Sequence, residues 1–146
     1  IICDAIRSYA SGYIFTTALP PALVKAASTS ISYLKKSDKE RKLQQKNTIL
    51  LKKYLTKENI NFIDNNSHIV PIMVNNPLRC KEISNILLNE FNHYIQPINY
   101  PTVPVGTERL RVTPGPLHTE KMISDLTIAL KYAFNKTNKN NYSKIA

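Results

Sequence analysis

The sequence predicts an α+β fold in which helices cover one face of a small, mainly antiparallel sheet. Apolar residues recur at helical spacing in several segments, and short runs rich in β-branched residues separate the later ones. With 146 residues, of which 42% are hydrophobic, the chain is long enough to bury a core of its own. We therefore expect one such domain over residues 20–135, preceded by a connecting segment at 1–19 and followed by a tail at 136–146.

The first strong helical pattern begins at Pro20 and Pro21, because proline is favoured in the first turn of a helix. Ser37 or Asp38 can cap a second helix. The apolar stripe of the first helix consists of Leu23, Ala27, Ile31 and Leu34. The residues of the second helix that we expect to face inward are Leu43, Leu50, Leu51, Tyr54 and Leu55.

Strands and helices alternate in the second half of the chain. The β-branched run at residues 69–74 predicts a strand, and Pro71 within it predicts an edge position or a bulge. Further strands are predicted at residues 94–98 and 109–112. The helix between the first two strands has its apolar stripe at Ile83, Ile86, Leu87 and Phe91.

A last helix is predicted to follow Thr119, whose hydroxyl can cap it. The residues of this helix that we expect to face the core are Met122, Leu126, Ala129 and Ala133. The stretch from Asn135 onward is rich in lysine and asparagine and predicts a frayed tail.

The charge and composition of the chain indicate which kinds of binding partner to expect. The formal net charge of +10 suits a nucleic acid, an anionic ligand or simply a lysine-rich surface. Much of the charge lies at residues 35–57 and in the tail, without the interleaved aromatic residues that stack on bases, so we expect no nucleic-acid partner. No apolar run approaches the roughly 20 residues that span a bilayer, and no membrane partner is expected. We also predict no metal site, because the cysteines and histidines do not have the spacing of zinc ligands. They are Cys3, Cys80, His68, His93 and His118.

The most informative segment is residues 95–118, where a proline-braced loop leads into a short strand with two arginines. Prolines restrict the backbone, so this loop loses less entropy when it closes on a ligand. They are Pro97, Pro101 and Pro104. Arg109 and Arg111 share one face of the strand, and a guanidinium there can donate two parallel hydrogen bonds to a carboxylate or phosphate. Spacing alone equally allows both arginines to lie on a solvated face, and it does not rank them.

Thr16 and Thr17 form a second candidate site just before the helix that begins near Pro20. Hydroxyls and unpaired N–H groups at a helix N-terminus can hold a phosphate. The alternative is that the two threonines are ordinary caps or turn residues, and the local pattern alone favours this alternative.

Four stretches resemble the C-terminal domain of the α-oxoamine synthases, which are pyridoxal-phosphate enzymes of aminotransferase fold type I. In the family's order they are residues 7–21 (RSYASGYIFTTALPP), 67–72 (SHIVPI), 99–104 (NYPTVP) and 113–118 (TPGPLH). The NYPTVP loop and the TPGP segment resemble most the branch that forms 5-aminolevulinate, whereas the sister enzymes look different there. The resemblance implies that residues 20–135 are the small C-terminal domain of a pyridoxal-phosphate-dependent transferase. Residues 1–19 would then be the end of the large cofactor domain and the segment that connects the two.

The resemblance also implies roles for individual residues. Thr16 and Thr17 would bind the phosphate of pyridoxal 5'-phosphate in the neighbouring subunit, so the parent enzyme would be a homodimer with shared active sites. Thr102 would bind the carboxylate of succinyl-CoA, and Arg111 the carboxylate of glycine. Val105 stands where relatives often have a basic residue, and His118 is expected to be a helix-entry residue.

No lysine of this chain has the Gly-Lys-Ala-Phe-Gly setting of the lysine that forms the Schiff base with the cofactor in the family. The resemblance therefore implies a fragment without a catalytic residue of its own, from a cytoplasmic enzyme in bacteria or a mitochondrial matrix enzyme in eukaryotes. Three alternatives remain at this point. The chain could belong to another α-oxoamine synthase, such as one like glycine C-acetyltransferase, or be a non-catalytic interaction module. It could also be a basic helical nucleic-acid binder, which fits the net charge.

Overall fold

The computed structural model describes residues 1–15 and 18–138, which fall into two compact units. The first unit is Ile1–Asp38, and the second begins at Lys39. The first contains helices α1 (Ile2–Tyr9), α2 (Ser11–Ile14) and α3 (Pro21–Lys36). The second contains α4 (Lys39–Lys57), β1 (Val70–Met73), α5 (Pro77–Phe91), β2 (Gln96–Ile98), β3 (Arg109–Val112) and α6 (Glu120–Asn138).

The second unit confirms the predicted α+β class. Its three strands form an antiparallel sheet in the order β1, β3, β2, so β3 is central. Val70 lies opposite Val112, and Ile72 lies opposite Leu110. Directly opposed residues share a face of a sheet, and these four are buried. This face is therefore the core face, as the alternation in β3 predicts.

Both outer strands of the sheet contain a proline. Pro71 lies in β1 and Pro97 lies in β2. The outer edge of β1 is covered by residues 61–63, where the N–H of Ile63 donates to the carbonyl of Pro71 at 2.9 Å. The predicted edge position of Pro71 is confirmed, since a residue without an N–H group fits best where no neighbouring strand needs one.

Helices α4, α5 and α6 supply most of the rest of the core. Asn76 caps α5 by accepting the N–H of Arg79 at 2.9 Å, and α5 ends at Asn92 in the left-handed conformation. Thr119 caps α6 as predicted, because its hydroxyl accepts the N–H of Met122 at 3.2 Å. The buried apolar residues of these helices are Leu51, Leu55, Cys80, Ile83, Ile86, Leu87, Ile123, Ala129, Leu130 and Ala133.

Two predictions about burial were wrong, and the last helix is longer than the sequence pattern indicates. Leu43, early in α4, is 36% exposed because the buried part of this helix begins only one turn later. Met122 is 52% exposed, since the buried stripe of α6 includes Thr127 and Thr137 instead. Both threonines donate their hydroxyls to carbonyls four residues earlier, at 2.8 and 2.9 Å, and can therefore be buried. Helix α6 continues to Asn138, past the expected start of the tail.

The first unit has the predicted helix α3 but no core of its own. None of its described residues is buried, and the apolar stripe of α3 is exposed at Leu23, Ile31 and Leu34. The domain boundaries expected after residues 19 and 135 stay a prediction. None of the helices in the described part of the chain is long and apolar enough to cross a membrane.

Candidate functional site

Strand β3 places its two arginines on the sheet face that points away from the core. Arg111 lies opposite Gln96 of β2, and Arg109 lies opposite Ile98. Arg111 is exposed, whereas Arg109 is half-buried. The arginines therefore occupy the same face, as predicted, but differ in their access to solvent.

The two guanidinium groups also differ in their partners. Nε of Arg109 donates to the carbonyl of Thr107 at 2.8 Å, which ties this side chain to the loop before β3. Among the described residues, none forms a hydrogen bond or an ion pair with the guanidinium of Arg111. A free guanidinium can donate two parallel hydrogen bonds to a carboxylate. The structure thus distinguishes two residues that spacing does not rank.

A cavity of about 400 Å³ adjoins Arg111. Its wall is largely apolar, with contributions from Leu51, Ile123 and Leu126. The polar side chains around it include Gln96, Thr113 and His118 beside Arg111. An apolar cavity with a few polar groups is typical of a site that binds a small ligand.

Two side chains fix the turn at residues 115–118, which borders this cavity. Nδ2 of the buried Asn47 donates to the carbonyl of Gly115 at 2.9 Å and to that of His118 at 2.8 Å. Nδ1 of His118 accepts the N–H of Gly115 at 2.9 Å, so a neutral His118 carries its proton on Nε2. Sequence reasoning missed Asn47, although it lies one helical turn before the buried Leu51 on the same face of α4.

Thr102 lies in the exposed loop between β2 and β3. Its N–H donates to the carbonyl of Asn99 at 3.0 Å, near the start of the loop. Near the end, Thr107 donates both its N–H and its hydroxyl to the carbonyl of Pro104, at 3.1 and 2.7 Å. Gly106, which lies between Pro104 and Thr107, has φ +82°, a left-handed conformation that favours glycine. Two hydrogen-bonded turns thus shape the loop that carries Thr102.

Glu108 is a buried acid that sequence reasoning also missed. It is 1% exposed, and its Oε1 accepts the N–H of Gly106 at 3.1 Å. The signal was available, since the two-residue period of β3 puts Glu108 on the core face with Leu110 and Val112. Burial raises the pKa of the nearby Cys80 thiol to about 11, and the charge of Glu108 adds to this rise.

A larger cavity, of about 570 Å³, lies between α4 and the segment at residues 64–68, and His68 contributes to its lining. Lys52 in this cavity already forms an ion pair with Asp64 at 2.8 Å. Because this charge is neutralised, we place the candidate site at Arg111. Within the part of the chain that the structure describes, no group of three His, Cys, Asp or Glu side chains could hold a metal ion.

Thr16 and Thr17 lie outside the described residues. Their expected role as ligands of a cofactor phosphate therefore stays a prediction, as do the roles expected for Thr102 and Arg111.

The chain is similar to several curated 5-aminolevulinate synthases. A 5-aminolevulinate synthase of Rickettsia bellii is 52% identical over 133 residues, which are 91% of this chain and 32% of the relative. A 5-aminolevulinate synthase of Rhizobium meliloti is 52% identical over 129 residues, which are 88% of this chain and 32% of the relative. The chain thus spans about a third of the length of the curated relatives that it matches.

Solved structures and a family profile agree with this similarity. A serine palmitoyltransferase from S. paucimobilis with PLP and myriocin bound matches with a TM-score of 0.85 and 26% identity, over 92% of this chain and 34% of that chain. An 8-amino-7-oxononanoate synthase from Francisella tularensis shares the fold, with a TM-score of 0.76 at 22% identity, over 94% of this chain and 40% of that chain. The profile of the family described as aminotransferase class I and II matches residues 1–130. The chain therefore belongs to the aminotransferase class I and II family.

Proposed function

We propose that this chain is the C-terminal part of a pyridoxal-phosphate-dependent enzyme that condenses glycine with succinyl-CoA. The products would be 5-aminolevulinate, coenzyme A and CO2, and the reaction would serve the synthesis of haem and other tetrapyrroles. The observation that carries the proposal is the 52% identity with the 5-aminolevulinate synthase of Rickettsia bellii over 91% of the chain. The chain would act as one part of a longer protein, since it spans 32% of that relative.

The cofactor assignment is supported by the match to the serine palmitoyltransferase with PLP bound, which extends over 92% of the chain. Pyridoxal phosphate, when bound, supplies an electron sink for the negative charge that develops on the α-carbon of glycine. Thr16 and Thr17 would hold its phosphate from the neighbouring subunit of a homodimer. The donor set fits, because threonine hydroxyls and main-chain N–H groups ahead of a helix are phosphate ligands. The guanidinium of Arg111 has no hydrogen-bond or ion-pair partner among the described residues and suits a substrate carboxylate.

Arg111 would bind and orient the carboxylate of glycine. Its planar fork fixes a carboxylate in two directions at once, so the bond that must break can be held in one orientation. The strand beneath is rigid, because β3 pairs with β1 on one side and with β2 on the other. Arg109 is not available for this role in the same way, since its Nε is bound to the carbonyl of Thr107.

Thr102 would bind the carboxylate of the succinyl group through its hydroxyl. The loop that carries Thr102 is exposed and adjoins the strand of Arg111 in sequence, so it can close over the acyl chain and exclude water. A hydroxyl aimed at a carboxylate discriminates against acyl-CoAs that lack one, because the hydroxyl would then be buried without a partner.

The experiment that tests this function is a chimera. The chain replaces the matching residues of the Rickettsia bellii 5-aminolevulinate synthase, and the product is measured with glycine and either succinyl-CoA or acetyl-CoA. We expect aminolevulinate from succinyl-CoA, and no product from the 146-residue chain alone, since it has no lysine in the family's setting. Preference for acetyl-CoA would favour a different α-oxoamine synthase. A folded but inactive chimera would favour a non-catalytic module.

A further inference from the structure

Glu108 contacts the end of the Thr102 loop through its side chain and the residues after β1 through its main chain. Oε1 of Glu108 accepts the N–H of Gly106 at 3.1 Å, and the main-chain carbonyl of Glu108 accepts the N–H groups of Val74 and Asn75 at 3.0 and 2.9 Å. The glutamate therefore connects the end of the loop to the residues that follow β1. Because Thr107 closes the adjacent turn onto Pro104, the whole C-terminal half of the loop is attached at this point.

The buried polar atoms at the two ends of this loop lower the stability of the fold. Oε2 of Glu108 is buried and receives no hydrogen bond from the described residues. Oδ1 of Asn99, at the other end of the loop, is likewise buried without a donor among them. A buried acceptor that lacks a partner destabilises a fold, and an apolar residue on the core face of β3 would be more stabilising. A local cost of this kind is typical of positions where function requires a particular geometry.

We infer that Glu108 is a positioning residue for the acyl substrate. It acts through the loop, because its hydrogen bond to Gly106 holds the loop in the shape that presents Thr102 to the carboxylate of succinyl-CoA. This inference rests on the proposed function for the substrate, but the attachment of the loop to Glu108 does not. Glycine is held by Arg111 on the strand itself, so Glu108 should affect the two substrates differently.

The first arm of the test uses the chain itself. Hydrogen exchange of the Gly106 amide is measured by NMR in the parent chain and in the E108A, E108Q and E58A variants. Glu58 is the matched control, because it pairs with Lys131 away from the loop. We expect exchange to accelerate by about tenfold or more in E108A, less in E108Q, whose amide oxygen still accepts, and not in E58A. An unchanged Gly106 rate in E108A would show that the carboxylate does not hold the loop.

The second arm uses the active chimera with the same variants. In E108A the KM for succinyl-CoA should rise by roughly tenfold, and in E108Q by less, because the glutamine oxygen still accepts the N–H of Gly106. The KM for glycine should stay within about twofold in both variants. The thermal midpoint of each variant is measured beside the kinetics, so that a general loss of stability can be distinguished from a change in the loop. Equal increases in both KM values, or a lower midpoint with unchanged KM values, would overturn the positioning role. An inactive unsubstituted chimera would instead count against the proposed function, and Gly106 exchange would still decide whether Glu108 holds the loop.

Discussion

The two arginines of strand β3 differ in the hydrogen bonds that they make within the protein. Arg109 and Arg111 have the same chemistry and the same face, but only Arg109 is bound to the loop through the carbonyl of Thr107. Arg111 has no such partner in the part of the chain that the structure describes, so its donors are available for a ligand. We therefore expect the two positions to respond differently to the same conservative change.

Arg111→Lys keeps the charge but removes the bidentate fork. In the chimera, the KM for glycine should rise by about tenfold or more, because a lysine cannot fix a carboxylate in two directions. Arg109→Lys is the matched control and should change this KM by less than about twofold. Steady-state kinetics with glycine varied at saturating succinyl-CoA measures both. A larger rise in the KM for glycine in the Arg109 variant would show that Arg109, and not Arg111, binds the carboxylate.

The sequence predicts on which face of a strand a side chain lies better than it predicts the hydrogen-bond partners of that side chain. A two-residue period correctly separates Leu110 and Val112 from the arginines, because the pleat of a strand leaves no other arrangement. The same period places Glu108 in the core, but it does not reveal the hydrogen bond to Gly106. That bond depends on the shape of the loop, which local spacing does not specify. The roles of Thr102 and Arg111 come from resemblance and stay predictions.

Whole elements were predictable where caps and periodicity act together. Helix α6 begins after Thr119 as expected, and the strand at 109–112 has the expected bounds. The rotation of α6 about its axis was not predictable from hydrophobicity, since Thr127 and Thr137 are buried in place of Met122. Their hydroxyls bond within the helix itself, so the helix buries polar residues that a hydrophobic pattern assigns to its surface.

Asn47 joins two elements that are far apart in sequence, since its amide bonds the turn before α6 from within α4. Asn47→Ala should lower the free energy of unfolding by about 2 kcal/mol, because two hydrogen bonds to main-chain carbonyls are lost. Urea unfolding followed by circular dichroism measures this change. Gln45→Ala, at an exposed position of the same helix, should stay within about 0.5 kcal/mol of the parent. Equal effects at the two positions would mean that Asn47 does not hold the turn.

At the scale of the whole molecule, the core belongs to the second unit. The buried apolar cluster begins at Leu51, and none of the described residues before Lys39 is buried. Apolar burial is the main source of stability in a folded domain. The first unit should therefore add little to the cooperative unfolding of the chain.

A chain that begins at Lys39 tests this division. Its thermal midpoint should differ from that of the full chain by less than about 4 °C, which corresponds to roughly 1 kcal/mol for a domain of this size. Thermal unfolding followed by circular dichroism at 222 nm provides the comparison. A midpoint lowered by 10 °C or more would show that residues 1–38 stabilise the core after all.

The prolines in both outer strands affect how readily the protein aggregates at high concentration. Exposed strand edges are templates on which further strands can add, and this is how many sheets nucleate fibrils. Pro71 and Pro97 each remove one main-chain donor from such a template, and residues 61–63 already occupy the edge of β1. The sheet thus resists growth by strand addition, because neither outer strand offers an unbroken row of main-chain donors.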